Sequence, residues 1–338
     1  MSDSDSFAQT HPQEKNPPTR ERQPQTLAYV ALAIGILCIG FSAIFVKLAN
    51  VPGPVSAFYR IAIAASVLVP WWLLRERRSP ARRDVLWSLA GGVLFAFDLA
   101  FWNTSLLYTS AATATVLANC ASLWVGIASF VLLRERLPAH FWLGLAIALT
   151  GMSVLVGLNA WRTMEFNRGD LLAIGGSIFY AAYLLTTQRT RVRVDTITFM
   201  AISIIACFLT LLSINLATEA ELTGFSPRTW SALVGLGLIS HLGGWLSINF
   251  ALGHLRAAPV SVTLLGQAVV TALVSIPILG EFLSVSQLVG GALALAGIAL
   301  ANRRGNRNHT LQVDFENQED RSSTPEKRPP RSRERGAR

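Results

Sequence analysis

The sequence predicts an all-α integral membrane protein. Ten transmembrane helices form two inverted five-helix repeats, with both termini in the cytoplasm. Three observations predict this class. The composition is too apolar for a soluble chain, ten separate runs are long enough to cross a bilayer, and the runs repeat with an odd period of five. Of 338 residues, 51% are hydrophobic and 14% charged, against roughly 25% charged in an ordinary soluble domain. The charges collect outside the apolar runs. Residues 1–26 hold three basic and four acidic groups, and residues 303–338 hold ten basic and six acidic ones. Both read as disordered, solvated tails. The first also lacks the apolar core of a secretory signal and fits a transit peptide badly. The formal net charge of +9 then reports sidedness in a membrane, and no nucleic-acid partner is expected. A secreted disulfide scaffold, a coiled coil and a wholly disordered chain are excluded.

A membrane helix needs about 20 mostly apolar residues. Span 1 covers 27–46 and span 2 covers 54–74, the latter ending in Trp71-Trp72, which suits an interfacial belt. Span 3 (85–107) carries Asp98 near its middle. Span 4 (111–133) ends before Glu135, and span 5 (139–158) carries Gly144 and Gly151. Span 6 (169–188) carries Tyr180, Tyr183 and Thr187. Span 7 (196–217) contains Cys207, and span 8 (229–252) contains His241. Span 9 (258–279) ends before Glu281, and span 10 (283–302) carries Gly290 and Gly297. A closed β-barrel would instead show alternating segments of about 10 residues. Cys38, Cys120 and Cys207 each sit alone in an apolar run and read as small buried hydrophobes.

Basic residues mark the cytoplasmic side of membrane proteins. With the N-terminus inside, the cytoplasmic segments near the spans carry 17 Lys and Arg, among them Arg75, Arg82, Arg134, Arg191, Arg256 and Arg303. The other side carries four: Lys47, Arg162, Arg168 and Arg228. The expected address is the plasma or inner membrane of the cell, with the lipid bilayer as partner.

The halves repeat. At a shift of 146 residues, Ala111-Ala112 falls on Ala257-Ala258, Glu135 on Glu281, Gly144 on Gly290 and Gly151 on Gly297. At a shift of 143, Trp87-Ser88 falls on Trp230-Ser231 and Trp102 on Trp245, so three residues are inserted between Trp245 and Ala257. The expected units are 27–158 and 169–302. Five spans per unit is odd, so the second copy enters the membrane upside down. Inverted repeats about one midplane site are a transporter device.

The residues now support a resemblance. Gly40-Phe41-Ser42-Ala43-Ile44-Phe45-Val46-Lys47 closes span 1, and Ala57-Phe58-Tyr59-Arg60 opens span 2. Asp98-Leu99-Ala100-Phe101-Trp102, Tyr108-Thr109-Ser110, Ala118-Asn119 and the paired Glu135 and Glu281 follow. Together they resemble the EamA type of the drug/metabolite transporter superfamily over about residues 27–302. The resemblance implies ten helices in two repeats and a central cavity lined mainly by spans 1, 3, 4, 6, 8 and 9. One departure stands out. The family has Pro 13 residues before each of these glutamates, where this chain has Ser122 and Ala268, with Pro277 later in span 9. The family's helix breaks are therefore not guaranteed by these residues.

A charge at the bilayer centre costs about 2.5–3.5 kcal/mol on insertion scales, so it usually faces a cavity or a partner. Asp98 and its repeat mate His241 are each followed four residues later by Trp102 and Trp245. That spacing puts each pair on one α-helical face. The expected arrangement is two facing walls, each with a titratable group and an aromatic ledge, extended by Ser105 and Asn249. The competing readings are a hydrogen-bonded core Asp and a core His. Arg60 either snorkels to the interface or pairs with an acid or a substrate carboxylate. Asn119, Ser122, Tyr180, Tyr183, Thr187, Thr263, Gln267 and Thr271 are polar candidates for the cavity, with helix–helix hydrogen bonding as the alternative. Glu135 and Glu281 read as structural tethers. Gly144, Gly151, Gly290 and Gly297 read as close-packing points.

No nucleotide loop, metal motif or nucleophile motif is legible, so no catalytic residue, metal or cofactor is expected. The reading is a secondary transporter, exporter or exchanger, of a small and amino-acid-like metabolite. Its coupling is either to protons or to a counter-substrate. A carrier of nucleotide sugars or phosphorylated metabolites is the alternative, with an intramembrane enzyme using Asp98 and His241 further behind.

Overall fold

The computed structural model describes residues 22–75, 80–105, 108–109, 111–156, 167–280 and 283–303. Glu281, Arg162 and residues 1–21 and 304–338 of the tails lie outside these, while residues 22–26, expected as tail, are already helical. The described residues form helices joined by short turns, with no strand among them. Among the described residues nine helices are long and apolar enough to cross a membrane: α1 (Gln25–Ala49), α2 (Gly53–Leu74), α3 (Arg82–Ser105), α4 (Thr113–Val131), α5 (Ala139–Val156), α6 (Arg168–Arg191), α7 (Thr196–Ala217), α8 (Pro227–Leu252) and α9 (Ala257–Ile278). A tenth apolar helix, α10 (Val285–Ala301), has 17 residues, about 25 Å of rise. The outer faces are apolar and uncovered, as at Leu74, Leu132 and Val285. That is how a helix looks when lipid is its solvent.

Helix starts are written locally. Asn167 accepts from the Gly169 and Asp170 amides while Asp170 reaches back to the Asn167 amide, a reciprocal cap that opens α6. Asp195 caps α7 by accepting from Ile197 and Thr198. Ser284 and Gln287 cap α10 in the same reciprocal way. Each satisfies amides that the first helical turn leaves without partners.

Helices holding equivalent places in the two halves run antiparallel. Trp72 Nε1 donates to Thr198 Oγ1 at 3.2 Å at one end of the α2–α7 pair, and Asn215 Nδ2 donates to the Pro54 carbonyl at 3.2 Å at the other. The α5–α10 pair meets along glycine. A Cβ on Gly144 would lie 2.3 Å from the Ala301 nitrogen, and one on Gly290 would lie 2.4 Å from the Leu155 nitrogen. Both are impossible contacts, so the two backbones touch only because side chains are missing there. Around these pairs, α3 packs on α6 and α7, while α8 packs on α1 and α2.

Three helices break and one widens. α4 breaks at Cys120 and α9 at Leu265, although neither carries the family's proline there. In α4, Ser122 Oγ donates to the Asn119 carbonyl at 2.8 Å, and Cys120 N bonds only three residues back to Leu117. In α9, Leu265 and Ala268 likewise bond three residues back, to Val262 and Leu265. Polar back-bonding and tightened turns replace proline. α1 breaks at Phe41, where the Gly40 carbonyl accepts from Thr271 Oγ1 at 2.7 Å. In α8, Leu236–Trp245 is π-helical, with bonds five residues apart.

Candidate functional site

The breaks and α3 surround a cavity of about 490 Å3. It reaches the ends of α1 at Lys47, of α3 at Asn103, of α5 at Val156 and of α9 at Ser275, and the start of α10 at Gln287. All lie at the end of the bundle away from the arginine-rich turns at Arg75, Arg134, Arg191 and Arg256. The cavity is therefore open toward one end, and its floor lies about halfway along the helices.

Asp98, Arg60, Tyr180 and Trp245 line the deep part. Asp98 is 9% exposed and makes no hydrogen bond among the described residues. Arg60 is near enough for the two charges to interact. Arg60 is held from behind: its Nε donates to His241 Nδ1 and its Nη1 to Ser42 Oγ, both at 3.3 Å. An acceptor at Nδ1 requires the lone pair there, so this His241 tautomer carries its proton on Nε2. Trp245 is the centre of an aromatic floor, with Phe95 at 4.7 Å, Tyr183 at 5.3 Å and Tyr180 at 5.9 Å between centroids. The site thus presents a carboxyl group free of hydrogen bonds among the described residues, a braced guanidinium near it and aromatic faces in one pocket.

The sequence-stated residues divide. Asp98, Trp102, Trp245, Arg60, Asn119, Tyr180, Gln267 and Thr271 all line the cavity. His241 (3% exposed) does not; it stands behind Arg60. Tyr183 (2% exposed) lies beneath Trp245 and donates to Asn249 Oδ1 at 3.1 Å. The spacing argument works on α3, which is α-helical throughout. It does not transfer to α8, whose wide turns change the angular step between His241 and Trp245. Thr263 also leaves the stripe formed by Gln267 and Thr271. The break at Leu265 separates them, and Thr263 accepts from Asn302 Nδ2 at 3.2 Å. Ser105, Ser122 and Asn249 are buried and outside the lining.

Sequence reasoning missed Ser56, Asn103, Thr115 and Gln287 as lining residues. Asn103 follows Trp102 directly and was the most visible signal. The cavity also takes residues from α2, α5 and α10, beyond the six spans that the resemblance implied.

Glu135 sits in the turn after α4. Its Oε2 is buried without a hydrogen-bond partner among the described residues. Burial raises its carboxyl above the usual carboxylate range, and the Arg256 charge at the start of α9 opposes that rise. Among the described residues no three His, Cys, Asp or Glu side chains gather as a metal site would require. Cys38, Cys120 and Cys207 are free thiols.

An apolar-faced helical bundle around a half-depth, one-ended polar cavity defines a multi-pass membrane protein of the carrier class. The EamA-like transporter family matches residues 26–157 and again 167–303. The chain belongs to that family and is a transporter of small molecules. A transporter of Archaeoglobus fulgidus is 24% identical over 290 residues, covering 82% of this chain and 97% of its own. A probable terminal-alkyne amino-acid exporter of Streptantibioticus cattleyicolor is 25% identical, covering 82% and 89%. A pseudopaline exporter of Pseudomonas aeruginosa is 25% identical, covering 64% and 74%. A crystal structure at 21% identity superposes with a TM-score of 0.71 over 84% of this chain and 99% of its own, a likeness of fold alone.

Proposed function

We propose that this protein is a secondary transporter, exporter or exchanger, of a small zwitterionic metabolite of the amino-acid kind. It sits in the cell membrane with ten crossings and cytoplasmic termini. Two inverted repeats, 27–158 and 169–302, alternate access to one midplane site. Antiparallel packing of α2 on α7 and of α5 on α10 supports the inversion. The carrying observation is Asp98, a mid-bilayer carboxylate with no hydrogen-bond partner among the described residues, facing the cavity opposite the braced Arg60. A solute with an ammonium and a carboxylate satisfies both at once. Arg60 gives the carboxylate a planar fork, Asp98 takes the ammonium, and the Trp102 and Trp245 faces receive an apolar side chain. One relative is named as a probable terminal-alkyne amino-acid exporter, which fits the same chemistry, and another as a pseudopaline exporter, which fits the direction of transport. Coupling is to protons through Asp98 or to a counter-substrate.

A phosphorylated solute would need more positive charge at depth. Arg60 lies there, while Lys47 is near the mouth. A zwitterion is therefore the better fit.

The test is thermal stabilisation of purified protein by amino acids, amines and sugar phosphates. A ligand at about 100 times its Kd stabilises by roughly 2.7 kcal/mol. Zwitterions are expected to raise Tm in the wild type and not in Asp98→Asn. Stabilisation by sugar phosphates, unchanged in Asp98→Asn, would overturn the reading.

A further inference from the structure

The end of the bundle opposite the cavity mouth is shut by an apolar core that includes Leu184, Ile248, Leu252 and Leu255, with hydrogen-bonded polar groups set into it. Gln188 Oε1 accepts from the Ala257 amide at 2.8 Å. Arg191 is 8% exposed and feels the charge of Asp195, the cap of α7, but does not donate a hydrogen bond to it. It donates instead to the backbone carbonyls of Asn249, at 3.0 Å, and of Val194. Gly253 makes room for it, since a Cβ there would lie 2.7 Å from Arg191 Nη2. Guanidinium hydrogen bonds are strongest to carboxylates, so carbonyl contacts exchange more readily.

Between this seal and the aromatic floor, polar atoms are buried without partners. Trp245 Nε1 and Asn249 Nδ2 are donors with no acceptor, on residues 4% and 0% exposed. They border a void of about 10 Å3, shared with Tyr183, Ser203, Cys207 and His241, which is room for about one water. Thr187 is fully buried beside Tyr183. A permanent core satisfies its donors almost without exception. Both donors lie on α8 beside Tyr183 of α6, and a surface that leaves donors empty is one that meets other partners part of the time. α8 is π-helical just before Trp245, and wide turns of this kind recur at functional sites.

We infer that the shut end holds the second half of the substrate path. It is a polar slot between α6 and α8, lined by Tyr183, Thr187, Trp245 and Asn249 and latched by Arg191, and it receives the carboxylate end of the solute when it opens. The slot offers N–H and O–H donors, and the released Arg191 adds a guanidinium, a set that suits a carboxylate. The inference rests on the proposed zwitterion transport by alternating access, and its test separates the two.

The test uses impermeant charged methanethiosulfonate on single-cysteine proteins, with Cys38, Cys120 and Cys207 changed to Ser. Thr187→Cys reports the slot and Thr271→Cys the open cavity. Right-side-out cells and inverted vesicles present the two faces. Thr271→Cys is expected to react from the outer face. Thr187→Cys is expected to react from the arginine-rich face alone, and slowly. Minor states of such equilibria hold about 0.1–10% of molecules, so weakening the latch is expected to speed Thr187→Cys labelling about tenfold. Arg191→Gln removes the charge, and Gly253→Ala crowds the latch while leaving the charge in place. Either variant suffices if the other misfolds. Zwitterion-dependent change of the Thr187→Cys rate supports the slot as substrate path. Thr187→Cys inert from both faces in all backgrounds, in a protein that still moves zwitterions, would reduce the void to a trapped-water site and overturn the inference. Latch-dependent labelling with no zwitterion bound or moved would keep the opening slot and overturn the proposed solute, including its carboxylate in the slot.

Discussion

Asp98 and Glu135 are two acids in unlike settings. Asp98 faces the cavity with the Arg60 cation nearby, and among the described residues no hydrogen bond uses its oxygens. Glu135 is half-buried in the turn after α4, one oxygen without a hydrogen-bond partner among the described residues, near Arg256. Burial raises the Glu135 carboxyl, so the folded chain keeps this proton to higher pH than the unfolded chain does. Stability therefore falls as pH rises from the ordinary carboxylate range through the raised folded value, and levels off above it. Glu135→Gln cannot titrate. The melting temperature of the variant is expected to vary less across that window than the wild type's. A difference between the two that does not change with pH would show that folding leaves the Glu135 carboxyl unshifted and would overturn this prediction.

At the scale of elements, spans were legible because a bilayer demands a run of fixed length, and composition must supply it. The breaks were less legible. Proline is the readable breaker, and here Ser122 and Ala268 stand in its place. The hydrogen bonding around Asn119, Cys120 and Ser122 still interrupts α4. Proline is tolerated in the first turn of a helix and costs about 3 kcal/mol or more in the interior. Ser122 is the second residue of the helix segment that restarts at Ala121. Ser122→Pro is therefore expected to leave Tm near the wild-type value, while Ala148→Pro, in the middle of α5, is expected to prevent stable folding. Equal loss in both would mean that α4 is continuous. The same limit explains the site. Asp98 and Trp102 were found by α-helical spacing on an α-helical segment. His241 and Tyr183 were not placed by spacing, because α8 widens and because only packing decides which side of α6 lies beneath Trp245.

For the whole molecule, the proposed sidedness rests on the arginine-rich turns, and the cavity opens at the end away from them. A green fluorescent protein, which fluoresces only when folded on the cytoplasmic side of a bacterial inner membrane, is expected to glow when fused after residue 338. A dark but full-length fusion would invert the bundle and turn the cavity mouth inward. The internal repeat was legible as matching Trp, Glu and Gly, and the antiparallel α5–α10 contact is what those glycines permit. Which end is open was not legible, since a repeat specifies two related arrangements and not the choice between them.

On the proposed alternating access, that choice has a physical origin in α8. Relative to the first half, the second inserts three residues between Trp245 and Ala257, and α8 runs seven residues past Trp245, to Leu252. Were the halves identical, the two end states would be related by a two-fold rotation, degenerate in energy and equally populated. The extended stretch carries Asn249, whose carbonyl anchors Arg191, and the insertion makes the halves unequal there. That inequality lifts the degeneracy and gives the proposed carrier a preferred resting side before any solute arrives.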